Sequence, residues 1–329
     1  MLLFQIHSVD VSDPPIILFV ATVGDRCGYI NVSGQIVIAP TFEECRDFSE
    51  NFAPVQVEGK WGFIDVTGRL QIDPQYDEVR WSFSEGLAAV RLGEKWGYIN
   101  TQGKFAITPK FEYAQGFSEG RAVVLVGEKH GIIDKSGNLL SELFDFSWWE
   151  FSEGLLAVED NHKWGFIGKT GRLVIPLNFN SARDFSEGLA AVEQTNDKNQ
   201  WGYINHTGNW EILPHFGDAG YFKDDLAPVA IDFKYGYIDR HGNLIIQPQY
   251  KYADSFNESL ACVIDSKQKY GFIDEAGHTV ITPNYELGFS FENGLAMIVV
   301  GKWVSEDAHK IPVFKWEWGY VDKTGSKVW

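Results

Sequence analysis

Aromatic rings recur in this chain at intervals regular enough to suggest chemistry. A ring followed by glycine stands at Trp61, Trp96, Trp164, Trp201, Tyr235, Tyr270 and Trp318, and Cys27 and His130 hold the equivalent places in two further copies. Rings in a row can form a stacking platform for sugars. A ring at fixed pitch is also what each unit of a repeat protein buries, and one indole removes a large area from water. Packing is the reading adopted, with the sugar platform as its rival. A basic residue precedes seven of the nine anchors (Arg26, Lys60, Lys95, Lys129, Lys163, Lys234, Lys269). An acidic column runs Glu50, Glu85, Glu119, Glu153, Glu187, Asp224, Glu258. These charges form either a track for a ligand or pairs between neighbouring units, each worth ~0–1 kcal/mol when exposed. Pairing is expected.

The eight histidines have no metal-ligand spacing. No nucleophile elbow, phosphate-cradling loop or supported Cys/His pair is present, so neither catalysis nor a cofactor is expected. One column varies inside the regular frame. Two residues before a recurring phenylalanine stand Arg46, Trp81, Gln115, Trp149 and Arg183, with Trp148 beside Trp149. A position the frame leaves free is open to recognition, and Arg and Trp are enriched at binding hot spots. These six residues are the candidate partner-binding set.

The elements that must position them repeat with the anchors. Successive anchors lie 34, 35, 34, 34, 37, 34, 35 and 48 residues apart. Seven residues after each comes a glycine, and twenty-one after most of them comes a phenylalanine, with Phe83 one residue late. "DVTG", "NTQG" and "DRHG" read as type I turns closed by a left-handed glycine, the three-residue loop of a β-hairpin. Alternating apolar residues flank the turn, and a proline usually ends the second strand. "FSEGLAAV" is expected to turn a corner at Ser-Glu-Gly and begin another strand, while "PKFEYAQGF" is ambiguous between a short strand and a helical turn. Each unit therefore holds three or four strands, with little room for helix.

Composition agrees. Glycine (33), tryptophan (12) and an aromatic fraction of 15% are what ring-rich strands joined by glycine turns require. The net charge of −17 opposes direct nucleic-acid binding and an anionic membrane surface; it suits solubility, the reading preferred, or a basic partner. Cys27, Cys45 and Cys262 form no even framework and read as small core fillers in a reducing compartment. The N-terminus lacks a secretory layout, so a cytoplasmic location is expected.

The recurring "KWGFID..G", "P.Y" and "FSEGLA.V" resemble the WG (KWG) repeat family of mostly bacterial, β-rich proteins, over about Ile16 to Trp329. The resemblance implies repeat modules and a bacterial setting such as defence or toxin immunity. The expectation is an all-β tandem array of about nine ~34-residue units, open and curved like a solenoid, with a closed β-propeller as the alternative. Residues 1–15 form a lead-in strand or cap, and 16–329 the array, with an insertion at 301–317 in the last unit. The expected function is a non-catalytic scaffold that binds a protein or peptide partner along an extended surface. The alternative is carbohydrate or cell-envelope binding by the Trp rows. Oligomeric state is left open.

Overall fold

The computed structural model describes residues 16–148, 150–194, 200–304 and 313–329, and of 302–304 and 313–315 the backbone alone. Its regular elements are all β-strands. The expected lead-in, 1–15, lies outside the described residues.

Sheet 3 shows the unit most clearly. Its strands run in chain order Glu78–Val79, Leu87–Leu92, Lys95–Asn100 and Phe105–Phe111, each antiparallel to the next. The ambiguous segment is thus a two-residue innermost strand. The corner is a two-residue hairpin loop: Ser84 and Leu87 exchange backbone hydrogen bonds, while Glu85 (φ 53°) and Gly86 (φ 80°) are both left-handed, as a type I′ turn requires. The next turn also follows the sequence reading. Gly103 donates to the Asn100 carbonyl at 2.9 Å, and the Asn100 side chain accepts from the amides of Gln102 and Lys104. The glycine of the "WG" pair has a steric origin. A Cβ on Gly97 would lie 2.6 Å from the Ile107 carbonyl oxygen, where the bulged outer strand presses in at Pro109.

Among the described residues nine units of three or four strands follow one another, numbered as sheets 1 to 9, at 19–42, 43–76, 78–111, 113–144, 146–179, 181–216, 218–250, 252–285 and 287–329. The fifth and sixth share the strand Leu173–Ala182. Among the described residues every sheet is open, and none rolls into a barrel. The cores lie between sheets. Phe83, at the corner of sheet 3, packs on Phe63 of sheet 2 with ring centroids 4.9 Å apart, in one buried cluster with Trp61, Ile72, Val90 and Ile99. The turn of each unit meets its predecessor, as Gly103 meets Ile72. Such a row has no core within one unit, so each sheet depends on its neighbours.

The row curves until its ends meet. Gly34 of sheet 1 abuts the Val328 carbonyl of sheet 9, in the way Gly103 meets sheet 2. The Phe19 and Tyr320 rings lie 5.4 Å apart, and the Tyr320 hydroxyl donates to the Val20 carbonyl at 3.2 Å. The two arrangements expected from sequence each describe part of the molecule: open, curved, tandem sheets whose first and last members touch. The insertion lengthens the last hairpin, in which Leu295–Val304 pairs with Val313–Asp322. Its residues 305–312 lie outside the described ones.

One cysteine expectation is overturned. Cys27 and Cys45 form a disulfide that ties the second strand of sheet 1 to the innermost segment of sheet 2. Cys262 alone is the buried filler that was expected, and burial pushes its thiol up to about 12. The cysteines therefore give no support to a reducing compartment.

Candidate functional site

The anchors are packing groups. Trp61, Trp96 and Trp164 are buried between sheets; Trp201, Tyr235 and Tyr270 are half-buried, and only Trp318 is exposed. Buried indoles do not form a platform.

The charged columns are also occupied. Glu85 accepts the Gly120 amide of the next sheet at 3.0 Å and pairs with Lys135, also at 3.0 Å. Glu119 treats Gly154 and Lys169 alike, Glu153 takes Gly188 and His206, and Glu258 takes Gly294 and Lys323. Pairing between units is thus what the acids do. The lysines before the anchors, however, serve a different set of acids: Lys60 meets Asp77, Lys95 meets Glu112 and Lys129 meets Asp145.

The variable column begins where each innermost strand ends, and its backbone is clamped. The Tyr98 hydroxyl donates to the Gln115 carbonyl at 2.7 Å, and the Gln115 amide donates to the Val123 carbonyl. Tyr29 holds the Arg46 carbonyl and Tyr237 that of Asp254 in the same way. With the main chain fixed, the side chain can vary at no cost to the frame.

Backbone register refines the column. The residue bonded as Gln115 is bonded is Trp148 in sheet 5, whose amide donates to the Ala157 carbonyl, and Arg183 in sheet 6. In sheet 3 it is Arg80, which follows Val79 as Gln115 follows Ala114. Trp81 is a surplus residue between the short strand and Phe83, and it is 56% exposed. Trp149 is the surplus residue of the same kind in sequence, and it lies outside the described residues. Phe83's one-residue delay was the available signal for Arg80.

The candidates divide accordingly. Arg46 and Trp81 line one cavity of about 350 Å³, with Ser84, Glu85, Ser118 and Glu150. Trp81, Gln115 and Trp148 line a second, also about 350 Å³, with Arg80, Tyr113, Glu150 and Asp184. Arg80, Trp81 and Glu150 belong to both, so the two form one cleft across sheets 2 to 6. Gln115 is only 4% exposed and donates to the Tyr113 hydroxyl at 3.2 Å, so it is wall rather than contact surface. Trp148 is half-buried; its indole donates to the Ala182 carbonyl at 2.6 Å and lies 5.9 Å from the Trp164 ring. Arg183 lines neither cavity. It pairs with Asp218 at 3.0 Å and covers the Trp201 ring.

Sequence reasoning missed three further residues. Arg80 lies over the Tyr113 ring and pairs with Glu78 at 3.0 Å. Glu150 borders both cavities. Asp184 has one carboxylate oxygen buried with no hydrogen-bond partner, and burial, reinforced by the charge of Glu150, pushes its carboxyl up to about 7. Among the described residues, no three metal-ligating side chains gather into a site.

The model of the WG containing repeat matches residues 28–61, 61–96, 96–129, 131–164, 164–198, 201–234, 235–264 and 270–302. The chain belongs to the WG repeat family. Its eight matched repeats are offset from the sheets, because each match begins at or near an anchor. No curated protein matches the chain. Among solved structures, this WG repeat protein is similar to the crystal structure of the eukaryotic initiation factor, at 13% identity over 96% of this chain and 95% of that one, with a TM-score of 0.61. That likeness is one of fold. BamB from Moraxella catarrhalis is similar at 10% identity over 79% of this chain and 95% of that one, with a TM-score of 0.43.

Proposed function

We propose that the chain is a non-catalytic recognition scaffold that binds a protein or peptide partner in the cleft spanning sheets 2 to 6. The observation that supports this is Trp81, a large indole in surplus to the repeat, 56% exposed and shared by both cavities. A frame needs no such residue, and leaving it in water forgoes about 1.5–3 kcal/mol of burial. Arg46, Glu150 and Trp148 surround it with the mixture of rings and charges typical of interface hot spots. The rival reading, a sugar platform made of Trp rows, loses its rows to the core. The cysteine pairing leaves the compartment open.

Affinity capture from the native host, read by mass spectrometry, tests the cleft. Trp81→Ala should lose the partner that the unaltered chain retains. Phe233→Ala, at a 99% exposed ring in the turn between the second and third strands of sheet 7, should keep it. The reverse pattern would move the binding surface to that turn.

A further inference from the structure

The second cavity has the chemistry of a receptor for one organic cation. Three rings, Trp81, Tyr113 and Trp148, form its walls, and it holds the carboxylates of Glu150 and Asp184. The lining also carries Arg80, whose guanidinium pairs with Glu78, while Arg183, outside the lining, pairs with Asp218 through Nη2 and keeps a buried Nε without a partner. No cation among the described residues pairs with Glu150 or Asp184. One Asp184 oxygen is buried and unmatched. A buried acceptor without a donor costs about 1–3 kcal/mol, and native proteins rarely leave one so.

A donor that is also a cation suits the acidic, ring-lined side of this pocket. It bonds the unmatched oxygen, balances two carboxylates and lies against ring faces whose quadrupoles attract positive charge. A metal ion would need several oxygen ligands within about 2.0–2.6 Å and would gain little from indole walls. We propose that this pocket receives the charged end of a basic side chain, lysine ammonium or arginine guanidinium, presented by the partner that occupies the cleft. The inference rests on the reading of the cleft as a recognition surface and names the chemistry it selects. The acidic balance of the whole chain favours the approach of such a partner.

Binding then depends on pH, because the cation needs ionised Asp184. The groups that act on that carboxyl are Glu150 and the Tyr221 phenol, and the Arg183 guanidinium acts on Tyr221 in turn. Burial raises Tyr221, so it stays neutral; Arg183, though opposed by burial, is raised by Asp218 and stays charged. Arg80, across the pocket, is likewise raised by Glu78.

The test is calorimetric titration of the full chain with N-acetyl-lysine methylamide and N-acetyl-arginine methylamide at pH 6 and pH 8. N-acetyl-norleucine methylamide and methyl glucoside serve as uncharged probes. At least one cation should bind saturably at one site, about tenfold tighter at pH 8, as ionisation around pH 7 requires. Asp184→Asn and Glu150→Gln, each folded by circular dichroism, should weaken that binding at least tenfold and leave little of its pH dependence in Asp184→Asn. If Asp184→Asn does not fold, Glu150→Gln and Trp81→Ala carry the test with the same expected loss. Failure of both cations to bind, or equal binding of norleucine or glucoside probes, overturns the inference. If the cations fail while Trp81→Ala still loses the partner, the pocket's chemistry is wrong and the cleft stands.

Discussion

Both carboxylate oxygens of Glu85 in sheet 3 accept the backbone amide of Gly120 in sheet 4, each at 3.0 Å. Glu85 is the first of the two left-handed residues of its own corner, and Gly120 occupies the corner of the next sheet. Each corner thus fastens the one that follows, and the same bond recurs from Glu50 to Gly86 and from Glu258 to Gly294.

Glu85→Ala should therefore cost more than a typical surface change. It leaves the Gly120 amide and Lys135 without their carboxylate, a loss of about 1–2 kcal/mol in urea unfolding at pH 7. Burial acts to raise the Glu85 carboxyl, but the Lys135 and Gly120 contacts outweigh it and hold it below its ordinary range. Its contribution is therefore present above the ordinary glutamate value and lost as pH falls through the depressed one. The difference between the unaltered chain and the variant should shrink at pH 3. An undiminished difference there would exclude the ionic account.

Much of this fold is legible in the sequence, because the features that recur are local. Asn100 to Gly103 announces its own turn, and Phe117 sits at a fixed distance from Trp96 because each corner fills a gap in the sheet before it. The cleft was half legible. Counting back from the phenylalanine finds Trp81 but passes over Arg80, since a one-residue surplus shifts the register that only backbone bonding defines. Gln115 looked like its column mates, and its burial depends on neighbouring sheets rather than on its own type. Asp184 carries no pattern at all; what sets it apart is an unmatched oxygen. The meeting of Phe19 with Tyr320 joins residues at opposite ends of the chain, which no local spacing encodes.

The Cys27–Cys45 bridge pins sheet 1, which closes the row against sheet 9, to sheet 2. Reduction should lower the melting temperature, and Cys45→Ser should reproduce the shift without reductant. With the two cysteines 18 positions apart, the expected loss is about 2–3 kcal/mol. Identical melting with and without reductant, in protein shown by mass to be bridged, would exclude a structural role.

Asp184 sets a second pH dependence, opposite in sign to that of Glu85. Its carboxyl lies at about 7 in the folded chain because burial disfavours the charge, against an ordinary value of 3.8. The stability it allows is fully present below pH 4 and is lost as pH rises through 7, where the folded state must ionise a buried group. Asp184→Asn removes that loss. At pH 8 the variant should be more stable than the unaltered chain by about 1–4 kcal/mol, with the gap closing toward pH 4. A gap that does not change with pH would show that Asp184 ionises freely.

Trp81 and Trp96 make the sharpest contrast between recognition and packing. Trp96 is 3% exposed, with its ring 5.4 Å from that of Tyr113, whereas Trp81 is 56% exposed and extra to the strand pairing. Trp96→Ala should remove about 3–5 kcal/mol by leaving a cavity between sheets. Trp81→Ala should stay within about 0.5 kcal/mol, since no core closes over it. Urea unfolding of the two variants in parallel reads both numbers. A costly Trp81→Ala would make that indole part of the frame and remove the ground for placing a partner on it. A cheap Trp96→Ala would return the anchors to the role of binding surface.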